Sequence, residues 1–404
     1  MGAGAYRRLV AVVVSVLAAL AFAGTAPAAI PGVVSDLTWG ISSSDQDRTV
    51  AAIHDLGARW TRISIQWQAW ESSPGVYDPW EVERTDRAVA LCRAHGIHLL
   101  VDVYNAPGWA AGTSGASEGN VPEDTADFAR FMRYVVARYQ GRVDAYEIWN
   151  EPDSQRFWSP GPNAAAYTRL LESGYDAVKS VDPNALVVSG GLSWDYGRPN
   201  SFLSQMYAAG AKGSFDVLGI HDYPDESIAT GLSTWPNGFS GARADEVSHG
   251  DSKPIWITEF GLNTAADASG WQPGVTPESQ AALVTRAFTL TAPDPWVQVL
   301  FYYNLRNDWW SHDDPSSMEA QFGLMTTNFA KKPAYYAFQR YAQELPASGL
   351  RLERADASTR RSVLRSRARR RLRFPLERIQ ASIAVCGSGA APTRRSASRR
   401  CGPI

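Results

Sequence analysis

The sequence predicts an α/β fold, a closed (β/α)8 TIM barrel, and three observations carry that prediction. Short apolar runs alternate eight times with amphipathic helical stretches. Most runs are apolar and β-branched along their length, as in a parallel sheet covered on both faces. Eight repeats over roughly 300 residues suit a barrel, which typically needs about 250 residues plus insertions. An open dinucleotide-binding sheet would want a glycine-rich turn after its first strand, and this chain has Ser42-Ser43-Ser44-Asp45 there.

Taken in order, the first expected strand is 37–41, followed by a helix at 48–56. The second strand, 60–65, leads to helix 81–95, whose Arg87–Cys92 segment has a helical apolar pattern. The third strand, 97–103, precedes helix 125–139, which Asp124-Thr125 introduces as a cap signal. Strand 143–149 precedes helix 164–180, and strand 185–189 precedes helix 202–209. Strand 215–220 precedes helix 242–248, and strand 254–258 precedes helix 277–290, which opens on Thr276-Pro277-Glu278. Strand 297–303 and helix 333–345 complete the series, so one catalytic domain is expected over residues 30–345.

The two ends are different material. Residues 1–28 have the parts of a secretory signal: Arg7 and Arg8, an apolar run from Leu9 to Ala23, and the small-residue site Ala26-Pro27-Ala28. The run falls short of the roughly 20 residues a spanning helix needs, so the expectation is a secreted, extracellular protein with no membrane association after cleavage. Residues 346–404 form an Arg-rich, low-complexity tail with 15 Arg and three acids from position 351 onward, expected to be disordered or translated out of frame. The overall charge of -2 therefore conceals an acidic body, and nucleic acid is not an expected partner. Three cysteines, Cys92, Cys386 and Cys401, allow no disulfide framework. No cofactor and no metal are expected, because the histidines show no ligand spacing, and the chain is read as a monomer.

A barrel of this kind builds its active site from the C-terminal ends of its strands and the loops that follow. Those positions hold Arg62 for the second strand and Tyr104-Asn105 with Trp109 for the third. They hold Asn150-Glu151 for the fourth, His221-Asp222-Tyr223 for the sixth and Glu259 for the seventh. Asn304, Arg306, Asn307, Asp308, Trp309 and Trp310 follow the eighth. Glu151 and Glu259 are carboxylates on opposed strands, the pair that glycoside hydrolysis requires. Nine of the 15 Trp fall in loops after strands (Trp67, Trp70, Trp109, Trp158, Trp194, Trp235, Trp271, Trp309 and Trp310), which suggests an aromatic rim suited to pyranose rings. Glu147 reads as a structural group below the site, and Asp102 and Asp222 as supports.

Together, Asn150-Glu151-Pro152, Glu259, Arg62 and His221-x-Tyr223 resemble the clan A retaining glycoside hydrolases, and families 39 and 5 in particular, over about residues 35–345. That resemblance implies Glu151 as acid/base, Glu259 as nucleophile, and net retention at a β-linked centre. It further implies that Asn150 bonds the sugar 2-OH, that Arg62 and Tyr223 hold the nucleophile ionised and oriented, and that His221 lies near the acid/base. Tyr104-Asn105 departs from family 5, which often has His there; Asn105 is matched to the sugar contacts nonetheless. The expected partner is a polysaccharide or oligosaccharide. Two alternatives stand beside this reading: a non-catalytic carbohydrate-binding barrel, and, within the class, an exo-acting β-xylosidase rather than an endo-glucanase-like enzyme.

Overall fold

A computed structural model describes residues 29–193, 200–225, 235–266, 270–308 and 314–345. The leader 1–28, the basic tail 346–404 and Trp309 lie outside the described residues. Eight parallel strands form the barrel: β1 (Ile30–Val34), β2 (Trp60–Gln66), β3 (His98–Tyr104), β4 (Ala145–Asn150), β5 (Leu186–Gly191), β6 (Leu218–His221), β7 (Ile255–Phe260) and β8 (Val297–Tyr302). Neighbours run β5-β4-β3-β2-β1-β8-β7-β6, and bridges at Val188–Val217 and Leu192–Ile220 close the ring between β5 and β6.

The outer layer comprises α1 (Ser43–Leu56), α2 (Pro79–Ala94), α3 (Thr125–Tyr139), α4 (Ala164–Val181), α5 (Phe202–Ala208), α6 (Pro236–Ser248), α7 (Pro277–Thr291) and α8 (Pro333–Glu344). Helix starts follow local chemistry: Ser42, Asp78, Asp124, Asn163, Ser201 and Thr276 each accept a backbone N–H of the first turn. Among the described residues no helix is long and apolar enough to cross a membrane.

The first strand is not where the apolar pattern placed it. Residues 37–41 form a loop, and β1 is Ile30–Val34, pairing with β2 and β8. Pro31 and Gly32 hide the strand from a propensity reading. Gly32 is needed for packing, since a Cβ there would fall 2.8 Å from Phe301 Cδ1. Leu37 and Ile41 are apolar because they are buried as loop anchors. Three helices also start earlier than expected: α1 at Ser43, because Ser42 caps it, α2 at Pro79, because Asp78 caps it, and α6 at Pro236.

Inside the barrel the lower layer is apolar, with Ile30, Trp60, Leu100, Ala145, Val188, Val217, Trp256, Val299 and Phe301 packed together. Trp60 meets Trp256 edge-on at 4.9 Å and Phe301 at 6.5 Å, so aromatic rings plug the base. Burying each such side chain is worth on the order of 2–3 kcal/mol. Above this plug the interior becomes polar, and the site begins there.

Candidate active site

The end of β4 departs from regular pleating. Trp149 has φ 77° and Glu151 φ 39°, conformations that side chains rarely adopt and that cluster where function demands them. In a regular strand Glu147, Trp149 and Glu151 would share one face. Instead, Trp149 joins Ile148 in the outer core, edge-on to Phe128 and Trp158, with its indole N–H donating to Phe157 O at 2.9 Å. Asn150 and Glu151 are thereby both left to the site. Tyr167 of α4 pins the irregularity, donating to Ile148 O at 2.9 Å and accepting Gly190 N–H at 2.6 Å.

A second departure places the partner. Strand β7 pairs Ile257 with Ile220 but Glu259 with His221, so Thr258 is an extra residue relative to β6. Bulges of this kind re-aim side chains beside active sites. Thr258 and Glu259 consequently both serve the interior: Thr258 Oγ1 donates to Glu147 Oε1 at 2.9 Å, and Glu259 Oε1 accepts from Arg62 Nη1 at 2.7 Å.

Arg62 organises these groups. It lies within β2, not after it, and is 2% exposed. Its Nε donates to Glu147 Oε2 at 2.6 Å and its Nη2 to Asn150 Oδ1 at 2.9 Å. Asp102 Oδ2 stands 3.2 Å from Nη2. A buried guanidinium survives only when its charge is matched by bonded anions. Burial would weaken its hold on the proton, but Glu147, Asp102 and Glu259 outweigh that and raise its pKa well above the ordinary value.

Glu259 is held on both oxygens, because Tyr223 Oη donates to Oε2 at 2.7 Å. Burial and the Glu259 charge push the Tyr223 hydroxyl well above its usual pKa, so it remains a donor. Glu151 Oε1 lies 2.8 Å from His221 Nδ1, which is itself 3.6 Å from Glu259 Oε2. Burial alone would lower the His221 pKa, but Glu259 and Glu151 more than compensate and raise it. One side-chain oxygen or nitrogen from each of Glu151, His221 and Glu259 lies within 4.8 Å of the others.

Six of the residues expected at the site therefore come together: Arg62, Asn150, Tyr223 and Glu259 form one hydrogen-bonded group, and the bonded pair Glu151 and His221 adjoins it, with His221 Nδ1 3.6 Å from Glu259 Oε2. Asn105 and Trp109 do not join it among the described residues. Asn105 is buried with φ 60° and its carbonyl accepts Gln68 N–H. Trp109 is half-buried, edge-on to Trp67, with its N–H donated to Glu71 O at 3.0 Å.

The aromatic rim is smaller than the sequence suggested: Trp67, Trp70, Trp158 and Trp235 are core residues, 0–5% exposed. Loop positions after strands are also where a barrel seats its upper packing, so their location did not distinguish the two roles. Trp194, Trp309 and Trp310 lie outside the described residues, and among those described Trp271 is open beside the site, 54% exposed, its ring 5.1 Å from Tyr223 and stacked on Phe322. Thr258 and Tyr303 escaped the sequence reading because both looked like ordinary strand residues. Tyr303 follows β8, 6.3 Å from Tyr223, and burial with Asp308 and Glu259 raises its hydroxyl pKa well above the usual value.

An eight-stranded parallel barrel whose C-terminal face joins two strand-end glutamates through an Arg, a Tyr and a His has the construction of a glycosidase. The chain belongs to glycosyl hydrolase family 5, the cellulase family, whose model matches residues 23–298. It is 26% identical over 278 residues to mannan endo-1,4-β-mannosidase 7 of Arabidopsis thaliana, covering 59% of this chain and 61% of that protein. It is 30% identical over 166 residues to probable glucan 1,3-β-glucosidase A of Aspergillus terreus, covering 38% of each. The chain thus spans less than two thirds of the length of these relatives. Among solved structures it is similar to a family 39 glycoside hydrolase from the gut symbiont Bacteroides cellulosilyticus, with TM-score 0.62, 24% identity, 78% of this chain and 64% of that one covered. It is also similar to GH5_18 from Streptomyces cattleya in complex with GlcNAc, with TM-score 0.62, 17% identity, 80% and 82% covered. These two likenesses concern the fold.

Proposed function

We propose that this chain is an exported β-glycosidase that cleaves β-linked oligosaccharides or polysaccharides by double displacement with net retention. The observation that carries the reading is the spacing of Glu151 and Glu259, whose facing oxygens lie no more than 4.8 Å apart. Retaining enzymes hold their carboxyl groups about 5–5.5 Å apart, whereas inverting ones leave about 6.5–9.5 Å for a water.

In this mechanism Glu259 attacks the anomeric carbon while Glu151 protonates the departing oxygen. Glu151 then removes a proton from the water that releases the sugar. Two donors fix the Glu259 oxygens, from Arg62 and Tyr223, so the attacking group needs no reorganisation. Arg62 also takes up Asn150 Oδ1, which turns the amide N–H2 outward as a donor for a sugar hydroxyl. A barrel that only bound sugar would have no need for two carboxylates held in this way.

The test is Glu259→Ala on an aryl β-glycoside panel. Hydrolysis should be lost, and a variant as fast as wild type would refute the assignment. Proton NMR of the first-formed product reads the anomer and should show retention. Export is tested by intact-mass measurement of the protein from culture medium, with the mature chain expected to begin at Ala29.

A further inference from the structure

We propose that Asp102 is a neutral carboxylic acid in the working enzyme, a positioning residue that leaves the single charge of Arg62 to Glu147 and Glu259. The inference rests on the glycosidase reading only for its consequence, since the protonation state is a property of the folded chain.

Three carboxylates surround one guanidinium, and they are not equally served. Glu147 accepts a donor on each oxygen, from Arg62 Nε at 2.6 Å and Thr258 Oγ1 at 2.9 Å. Glu259 likewise accepts on each oxygen, from Arg62 Nη1 and Tyr223 Oη, both at 2.7 Å. The hydrogen bond of Nη2 goes to Asn150 Oδ1 at 2.9 Å, and Asp102 Oδ2 sits beside that nitrogen at 3.2 Å without such a bond. Its only donor is the distant Ser64 hydroxyl at 3.4 Å, and Oδ1 has no hydrogen-bond partner among the described residues.

Asp102 is fully buried. An ionised carboxylate there would lack both solvent and donors, a state that protonation relieves. The groups facing it are Arg62 of β2 and Glu147 of β4 from the neighbouring strands, and His221 of β6 and Glu259 of β7 from across the barrel, with Tyr104 on its own strand. Burial pushes its carboxyl up; Arg62 and His221 pull it down, Glu147 and Glu259 push it further, and the result is about 8. At neutral pH the Arg62 shell then holds two anions, and ionising Asp102 adds a third that competes with Glu259 for the same guanidinium.

The experiment uses the full chain, comparing wild type with Asp102→Asn and with Glu151→Gln as a control for the carboxyl that the proposed mechanism uses as its acid. Infrared difference spectra at neutral pH should show a protonated-carboxyl C=O band that Asp102→Asn removes and Glu151→Gln leaves in place. In wild type, a 13C-labelled Asp carboxyl resonance should hold its protonated position to about pH 7 before moving. With an activated aryl β-glycoside, whose departure needs no protonation, Asp102→Asn should lower kcat/KM by less than about tenfold and move the alkaline limb to higher pH. An ionised Asp102 predicts no band to remove and a loss of roughly a hundredfold or more, as a charge partner of Arg62 disappears; either result overturns the proposal. Both spectroscopic readouts need no turnover, so they separate failure here from failure of the glycosidase reading; the wild-type resonance, once assigned to Asp102 through its own Cα and Cβ and so distinguished from Asp222 and Asp308, decides the matter even if the Asn variant does not fold.

Discussion

His221 Nδ1 lies 2.8 Å from Glu151 Oε1, which makes the ring on β6 and the acid after β4 one unit across the intervening strand β5. The His221 pKa is raised on folding by Glu259 and Glu151 against the opposing effect of burial. For a raised histidine the stabilisation is complete below the unfolded value of about 6.5 and is lost as pH rises through the folded value. Thermal unfolding of His221→Asn should therefore fall furthest below wild type near pH 6, with the gap closing at alkaline pH.

Gly191 makes that contact possible. A Cβ there would fall 2.1 Å from His221 Nε2 and 2.8 Å from Thr258 Oγ1, neither of them a mobile side-chain end. Gly191→Ala should cost about 1–3 kcal/mol in denaturant unfolding through overpacking. It should also lower kcat with little change in overall secondary structure by circular dichroism.

Replacing the proposed acid should affect substrates unequally. Glu151→Ala should reduce kcat/KM by about 10²–10⁴ for alkyl or sugar leaving groups and far less for dinitrophenyl glycosides, which depart without protonation. Added azide should restore turnover and give a β-glycosyl azide, detected by NMR. An α-azide product would instead assign Glu151 as the nucleophile.

Trp271 offers an open indole face, held by Phe322 and set against the Tyr223 ring whose hydroxyl binds Glu259. Trp271→Ala should raise KM for oligosaccharides by about threefold to tenfold. The same variant should treat a monosaccharide aryl glycoside nearly as wild type does, which a steady-state comparison of the two substrates would check.

Two buried acids outside the Arg62 shell predict the slope of stability with pH. Burial pushes Asp222 up to about 7, and burial with Asp36 pushes Asp308 up to about 8. Such groups are neutral in the fold but ionised in the unfolded chain above about pH 4. Their contribution is complete below that value and is lost as pH rises through about 7 and 8. Melting temperature should decline over this window, and Asp308→Asn should flatten part of the decline.

The sequence exposed seven strands, all eight helices and the strand-end placement of both carboxylates, because apolar periodicity and strand-end position survive in a linear reading. It concealed β1, where Pro31 and Gly32 are tolerated only through the pairing with β2 and β8 and the packing of Phe301. It misjudged Trp67, Trp70, Trp158 and Trp235, since the same loop position can bury a ring or present it. It ranked Asn150, Arg62 and Tyr223 correctly as neighbours of the two glutamates, yet it gave no sign of the extra residue at Thr258 or of φ 77° at Trp149. Both depend on tertiary contacts, namely Tyr167 bonding across β4 and β5 for one and Glu147 accepting from Thr258 for the other.

The extra residue in β7 has a practical consequence. Because the backbone, and not the carboxylate, sets where position 259 points, a shorter side chain there would leave the cleft and its sugar contacts in place. Glu259→Ser would then be a ligase in waiting: offered an α-glycosyl fluoride, which mimics the missing covalent intermediate, Glu151 could activate an acceptor sugar instead of water. A degradative scaffold would become one that builds β-linked oligosaccharides, with products that it could no longer hydrolyse.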